Sequence, residues 1–185
     1  MGQAMPDNDQ SERVITHHAA ITVRRPASDV ARYVFDPTTM PQWSAVVYVV
    51  EEPTETSFRI GSRLKANMHV LGVTLPIEGE MVELDEAGMR AALKVGPVGA
   101  DGLLEHELVV EDLGDGSVIH FRNRVTLPGW VPPEAVSDEL VRHLLDQTAA
   151  FALANIKFIL EHASESRILE FMALAGRHLL PAEDL

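Results

Sequence analysis

The chain has 185 residues, 46% hydrophobic and 23% charged, a balance that fits one globular domain with a core of ordinary size and excludes a wholly disordered chain. No stretch approaches the ~20 consecutive apolar residues of a spanning helix, and a formal charge of −13 opposes binding to nucleic acid or to an anionic bilayer. Cysteine is absent, which removes disulfides, thiol nucleophiles and thiolate metal sites; with a start, MGQAMPDNDQSER, that lacks a basic then apolar leader, it sets the expectation of a cytoplasmic protein.

Residues 1–12 are polar and are expected to form a disordered tail. HHAAITV, residues 17–23, alternates as a strand with His17, Ala19, Ile21 and Val23 on one face. Pro26 opens a short helix ended by Asp36-Pro37, and TTMPQW makes a second helical turn before the β-branched run at 44–52. From Ile60 a period of two continues through strand after strand. The inward sets are Leu64, Ala66, Met68 and Val70; then Val73, Leu75, Ile77, Gly79 and Met81; then Met89, Ala91, Leu93 and Val95. Leu104, His106, Leu108 and Val110 follow, and last Ile119, Phe121, Asn123, Val125 and Leu127. Strands at this spacing, joined by short turns such as Gly114-Asp-Gly116, read as one antiparallel meander with one covered face.

The cover is the stretch 133–162, free of internal Gly and Pro and rich in helix formers. Its helix would be roughly 45 Å long, with Asp138 and Glu139 at the end where the dipole favours acid. At 100° per residue, Leu140, Leu144, Thr148, Phe151, Asn155, Phe158 and Ile159 share one face, taken here as the one turned to the sheet. Leu153, Ile156 and Leu160 then lie outside and need a cover, either residues 164–185, a second helical stretch, or another copy of the chain in a homodimer.

The order strand, two short helices, antiparallel meander, long helix resembles the START-like, or SRPBCC, superfamily, which includes polyketide cyclases/dehydrases and lipid-transfer domains. The run ITVRRPASDVARYVFDPTTMPQWSAV is similar to the family's opening, with Pro26, Val30, Phe35, Asp36, Pro37 and Trp43 in the matching places. The resemblance covers roughly residues 14–162 and implies an α+β helix-grip fold, a curved antiparallel sheet wrapped around the long helix, with a cavity between them. The division expected is therefore a cavity domain over 13–163 and a helical extension over 164–185.

Within such a cavity the inward polar residues are the informative ones, since burial of a polar group costs free energy unless it is hydrogen-bonded. His106 is the candidate acid or base, with Tyr33 and Tyr48 as further proton donors. Asn123, Thr148 and Asn155 are placed to hold a ligand carbonyl or a developing enolate. Trp43, Met68, Met81, Met89, Phe121 and Phe151 supply the wall, and Trp130 a lid beside Pro128-Gly129. Each of these residues also has an ordinary reading as core. The eight histidines show no ligand spacing, and Gly96, Gly99 and Gly102 lie between strands, so neither a metal site nor a cofactor is expected. The short basic groups Arg24–Arg25 and Arg122/Arg124 read as solvent-facing strand residues. The resemblance implies an enzyme of polyketide-cyclase type acting on a largely apolar small molecule, or a non-catalytic carrier or sensor of one.

Overall fold

The computed structural model describes residues 11–45, 47–50, 59–70, 72–99 and 103–162. Strand β1 (Arg13–Val23) leads into helix α1 (Ala27–Val34), a 3-10 turn at Pro37–Thr39 and the short helix α2 (Met40–Trp43). Strands β2 (Val47–Val50), β3 (Arg63–Val70), β4 (Val73–Asp85), β5 (Arg90–Pro97), β6 (Leu104–Asp112) and β7 (Ser117–Leu127) precede helix α3 (Asp138–His162). The seven strands form one antiparallel sheet in the order β1-β7-β6-β5-β4-β3-β2. From β3 to β7 each strand lies beside the one before it, β2 pairs with β3, and β1 closes against β7. The tail at 1–10 and the helical extension at 164–185 lie outside the described residues.

Alternation sets the buried face as expected through β1, β5, β6 and β7, where Ile15, Val23, Leu93, Val95, Leu108, Val110, Ile119 and Phe121 are all in the core. Two departures occur on β4. Val73 and Leu75 are exposed, because the β3–β4 hairpin runs out past the helical cover. A bulge between Met81 and Glu83 then reverses the parity, so that Leu84 packs against the core. Gly79 is buried where a Cβ would stand 3.1 Å from Leu64, so the absence of a side chain lets Leu64 and Leu93 meet across the strand.

Helix α3 starts later than the sequence suggests. The chain at Pro132–Ser137 is used in turns, with Ala135 and Val136 donating to the Pro132 carbonyl, and Ser137 Oγ accepts the N–H of Leu140 at 3.1 Å as an N-cap. Arg13 of β1 pairs with Asp138 and donates to the carbonyl of Val136 at 2.9 Å, tying the helix entrance to the sheet edge. At the other end Glu161 accepts the backbone N–H of Arg24 at 2.8 Å, Arg25 Nε donates to the Leu160 carbonyl at 2.6 Å, and Lys157 Nζ donates to that of Thr22 at 2.6 Å. Arg24 and Arg25 thus hold the helix end and are not free basic strand residues.

The rotation of α3 differs from the expected one. Val141, Leu145, Ala149, Ala152, Leu153 and Ile156 are buried, whereas Leu140, Phe151 and Phe158 are 43%, 52% and 59% exposed. Apolar residues occupy most of this helix's circumference, so periodicity alone does not select a face. The packed helix settles it: small Ala149 is fully buried on the side that packs against β1, where Phe151 or Phe158 would not fit, and Ala152 is buried beside the cavity. Leu153 and Ile156, expected outside, therefore need no external cover.

Candidate functional site

A cavity of about 270 Å³ lies between the inner faces of β3–β7, the α1–α2 segment and the first half of α3. The order of elements explains its existence. The two short helices cross from β1 to β2, spanning the sheet, and α3 is held at both ends against β1, away from the middle strands. Leu64, Ala66, Ile77, Leu93 and Leu108 from the sheet and Val34, Phe35 and Ala152 from the helices line the space left between them. The polar side chains reaching this wall are Ser44, His106 and Thr148, and His106 is the one titratable group among the lining residues.

Of the residues singled out from sequence, Trp43, Met68, Met81, His106, Phe121 and Thr148 line the cavity. Trp43 is 3% exposed and donates Nε1–H to Thr39 Oγ1 at 3.0 Å, which fixes its indole against the 3-10 segment. Phe121 stacks on the His106 imidazole, ring centroids 5.4 Å apart and 22° from parallel.

The others are placed elsewhere. Phe151 points to solvent because of the helix rotation, and Trp130 is 79% exposed in the loop before α3, so neither contributes wall or lid. Met89 sits at the Asp85–Met89 turn with a φ of +50°, its carbonyl accepting the N–H of Val110, and packs on the core outside the cavity. Tyr33 lies on α1 with its hydroxyl donating to Gln42 Oε1 at 3.1 Å, and burial pushes its pKa up to about 12, so the phenol keeps its proton and spends it on Gln42. The side chain of Tyr48 lies outside the described residues.

The amides also behave differently from expectation. Asn155 Nδ2 donates to the Trp43 carbonyl at 3.3 Å and joins α3 to α2. Thr148 Oγ1 donates back to the Leu144 carbonyl at 2.8 Å, one turn earlier in the helix. Asn123, 3% exposed, bonds through Oδ1 to His106 Nδ1 and through Nδ2 to His17 Nδ1 at 3.4 Å. The Thr148 hydroxyl hydrogen and one N–H each of Asn123 and Asn155 are engaged within the protein, and neither amide is among the residues lining the cavity.

His17 and Asp146 are the residues that sequence reasoning missed. The register pairs His17 of β1 with Asn123 of β7, and Asn123 with His106 of β6, giving one polar side chain per strand in a row across the inner face. Asp146 of α3 stands 3.6 Å from His17 Nε2 at the end of that row. The parity of β1 already turned His17 inward, but nothing in the sequence states which residues lie opposite it. Burial lowers the pKa of His106 from its ordinary value of 6.5, partly offset by the bond to Asn123, so the ring is neutral at pH 7 and can accept a proton. Among the described residues no group of three His, Asp or Glu side chains is arranged to hold a metal ion, and no helix is long and apolar enough to cross a membrane.

A family model described as polyketide cyclase / dehydrase and lipid transport matches residues 15–161. No curated protein matches the chain. Among solved structures it is similar to the di-domain ARO/CYC StfQ from the steffimycin biosynthetic pathway, with a TM-score of 0.64 at 15% identity over 84% of this chain and 52% of that one. It is also similar to Ara h 8.0201, with a TM-score of 0.60 at 16% identity over 80% and 98% of the two chains. A third is protein CV1439 from Chromobacterium violaceum, with a TM-score of 0.58 at 17% identity over 80% and 99%. The chain spans about half the length of the di-domain structure. At these identities the likeness to solved structures speaks for the fold alone.

Proposed function

Given that this chain belongs to the polyketide cyclase/dehydrase and lipid transport family, we propose that it binds a compact, largely apolar small molecule in its cavity and promotes its cyclisation, with His106 moving the proton. The observation that carries this reading is a single imidazole, the one titratable group on a largely apolar wall, facing about 270 Å³ of space. Such a cavity confines a flexible chain in a conformer with its reacting carbons close together, which replaces a costly ordering step. Neutral His106 then takes a proton from an acidic C–H or enol O–H. The carbanion so formed attacks a second carbonyl of the same molecule, and the imidazolium returns its proton to the new alkoxide oxygen, after which water is lost. A pericyclic closure, needing shape alone, belongs to the same class. The proposal extends to a cytoplasmic setting in natural-product biosynthesis. It also extends to a homodimer burying the Leu140, Phe151 and Phe158 stripe, which a monomer in sedimentation at tens of micromolar would refute.

A second reading, a carrier or sensor that holds its guest unchanged, draws support from one feature: Thr148 on the cavity wall already gives its hydroxyl hydrogen to the Leu144 carbonyl, and Asn123 and Asn155 lie off that wall. Incubation with a short linear polyketide thioester, followed by mass spectrometry and NMR of the recovered small molecule, separates the two. Cyclase action yields an isomer or a dehydrated product, whereas a carrier returns the starting compound. His106→Ala should lower turnover by about 10²-fold or more, in line with loss of a positioned acid–base group. Undiminished turnover in the folded variant would remove His106 from the chemistry.

A further inference from the structure

The row His106–Asn123–His17–Asp146 has a direction. Asp146 is a carboxylate and only accepts, so the ring nitrogen of His17 turned toward it, Nε2, is favoured as the N–H. That leaves His17 Nδ1 with its lone pair, and the group facing it at 3.4 Å is the Asn123 amide nitrogen, a donor. Asn123 must then present Oδ1 to β6, and an acceptor there requires the hydrogen of His106 to sit on Nδ1. The remaining nitrogen of His106, Nε2, carries a lone pair and has no protein partner among the described residues.

We infer that Asp146, acting through His17 and Asn123, fixes His106 in the Nδ1–H form, so that His106 meets the guest as a hydrogen-bond acceptor and selects a ligand bearing a hydroxyl, enol or phenol group. Asp146 and His17 are positioning residues in this scheme; only His106 touches the guest. Thr148 points the same way, since its hydrogen is given to the Leu144 carbonyl and its oxygen offers lone pairs alone. A guest carbonyl finds no matching donor on either residue. The side chain of Asp146 is 69% exposed, while that of His17, which it faces, is 11% exposed. The ligand part rests on the cavity reading above; the tautomer part does not.

Two measurements test it. Long-range ¹H–¹⁵N correlation spectra of protein labelled at histidine nitrogens, recorded at pH 8, should show pyrrole-type Nδ1 and pyridine-type Nε2 for His106. In Asp146→Ala, a surface change that leaves the core intact, the population with hydrogen on Nε2 should rise. A wild-type ring protonated on Nε2, or a tautomer balance unmoved by Asp146→Ala, would overturn the relay. Independently, 2-naphthol should bind more tightly than 2-methoxynaphthalene by about tenfold, the scale of one net hydrogen bond. His106→Phe should abolish that preference. Equal affinity for the two probes in the wild type refutes donor selection, and binding of neither refutes the cavity reading itself while the spectra still decide the relay.

Discussion

His106 is buried in a place that penalises its charged form, and this makes pH a direct probe of its environment. With its pKa lowered on folding, the unfolded chain takes up a proton that the folded one resists. Stability from this group is therefore complete above about 6.5 and declines as pH falls below that value, until the folded ring itself titrates. Denaturant unfolding at pH 7.5 and 5.5 should show an acid loss in the wild type that is smaller in His106→Gln. Equal losses in the two proteins would mean that other groups account for the acid sensitivity. The histidine at position 17 shows a different principle at the same scale: its part in the site comes from the residue opposite it, not from its own burial.

Helix α3 is the element on which the molecule's arrangement turns, and its rotation can be checked residue by residue. Ile156, 1% exposed, should cost about 2–5 kcal/mol on truncation to Ala, the range for a large aliphatic group in a packed core. Phe158, two positions on and 59% exposed, should change the stability of the monomer, measured at dilution below any dimerisation, by no more than about 0.5 kcal/mol. The reverse order in equilibrium unfolding would restore the rotation that periodicity suggested. Its N-cap belongs to the same argument: Ser137→Ala should cost about 1 kcal/mol, since the Leu140 N–H loses its acceptor.

For the molecule as a whole, the interior space is the property with functional consequences. A guest that binds only the folded state adds about 2.7 kcal/mol at a hundred times its dissociation constant, which for a chain of this size raises Tm by roughly 5–10 °C. Ala66, 4% exposed on β3 and facing the cavity, is the position to test. Ala66→Phe should remove the ligand-induced rise while changing unliganded stability by about 1–3 kcal/mol. A Tm rise that survives this substitution would place the binding site outside the cavity.

The alternation of β5, β6 and β7 determined which of their side chains face inward, including His106, Phe121 and Asn123, because a strand has two faces and one-residue slips are costly. The opening run with Pro26, Asp36 and Trp43 determined the family-type entry of two short helices. Tertiary structure alone decided three things. It chose the buried side of α3, because apolar residues lie on several sides of that helix and only its packing against β1 breaks the tie. It set His17 beside Asn123, because register is a relation between strands far apart in the chain. And it gave the Thr148 hydroxyl to the helix and set Asn123 and Asn155 off the cavity wall, because whether a polar group faces a ligand depends on neighbours that only folding supplies.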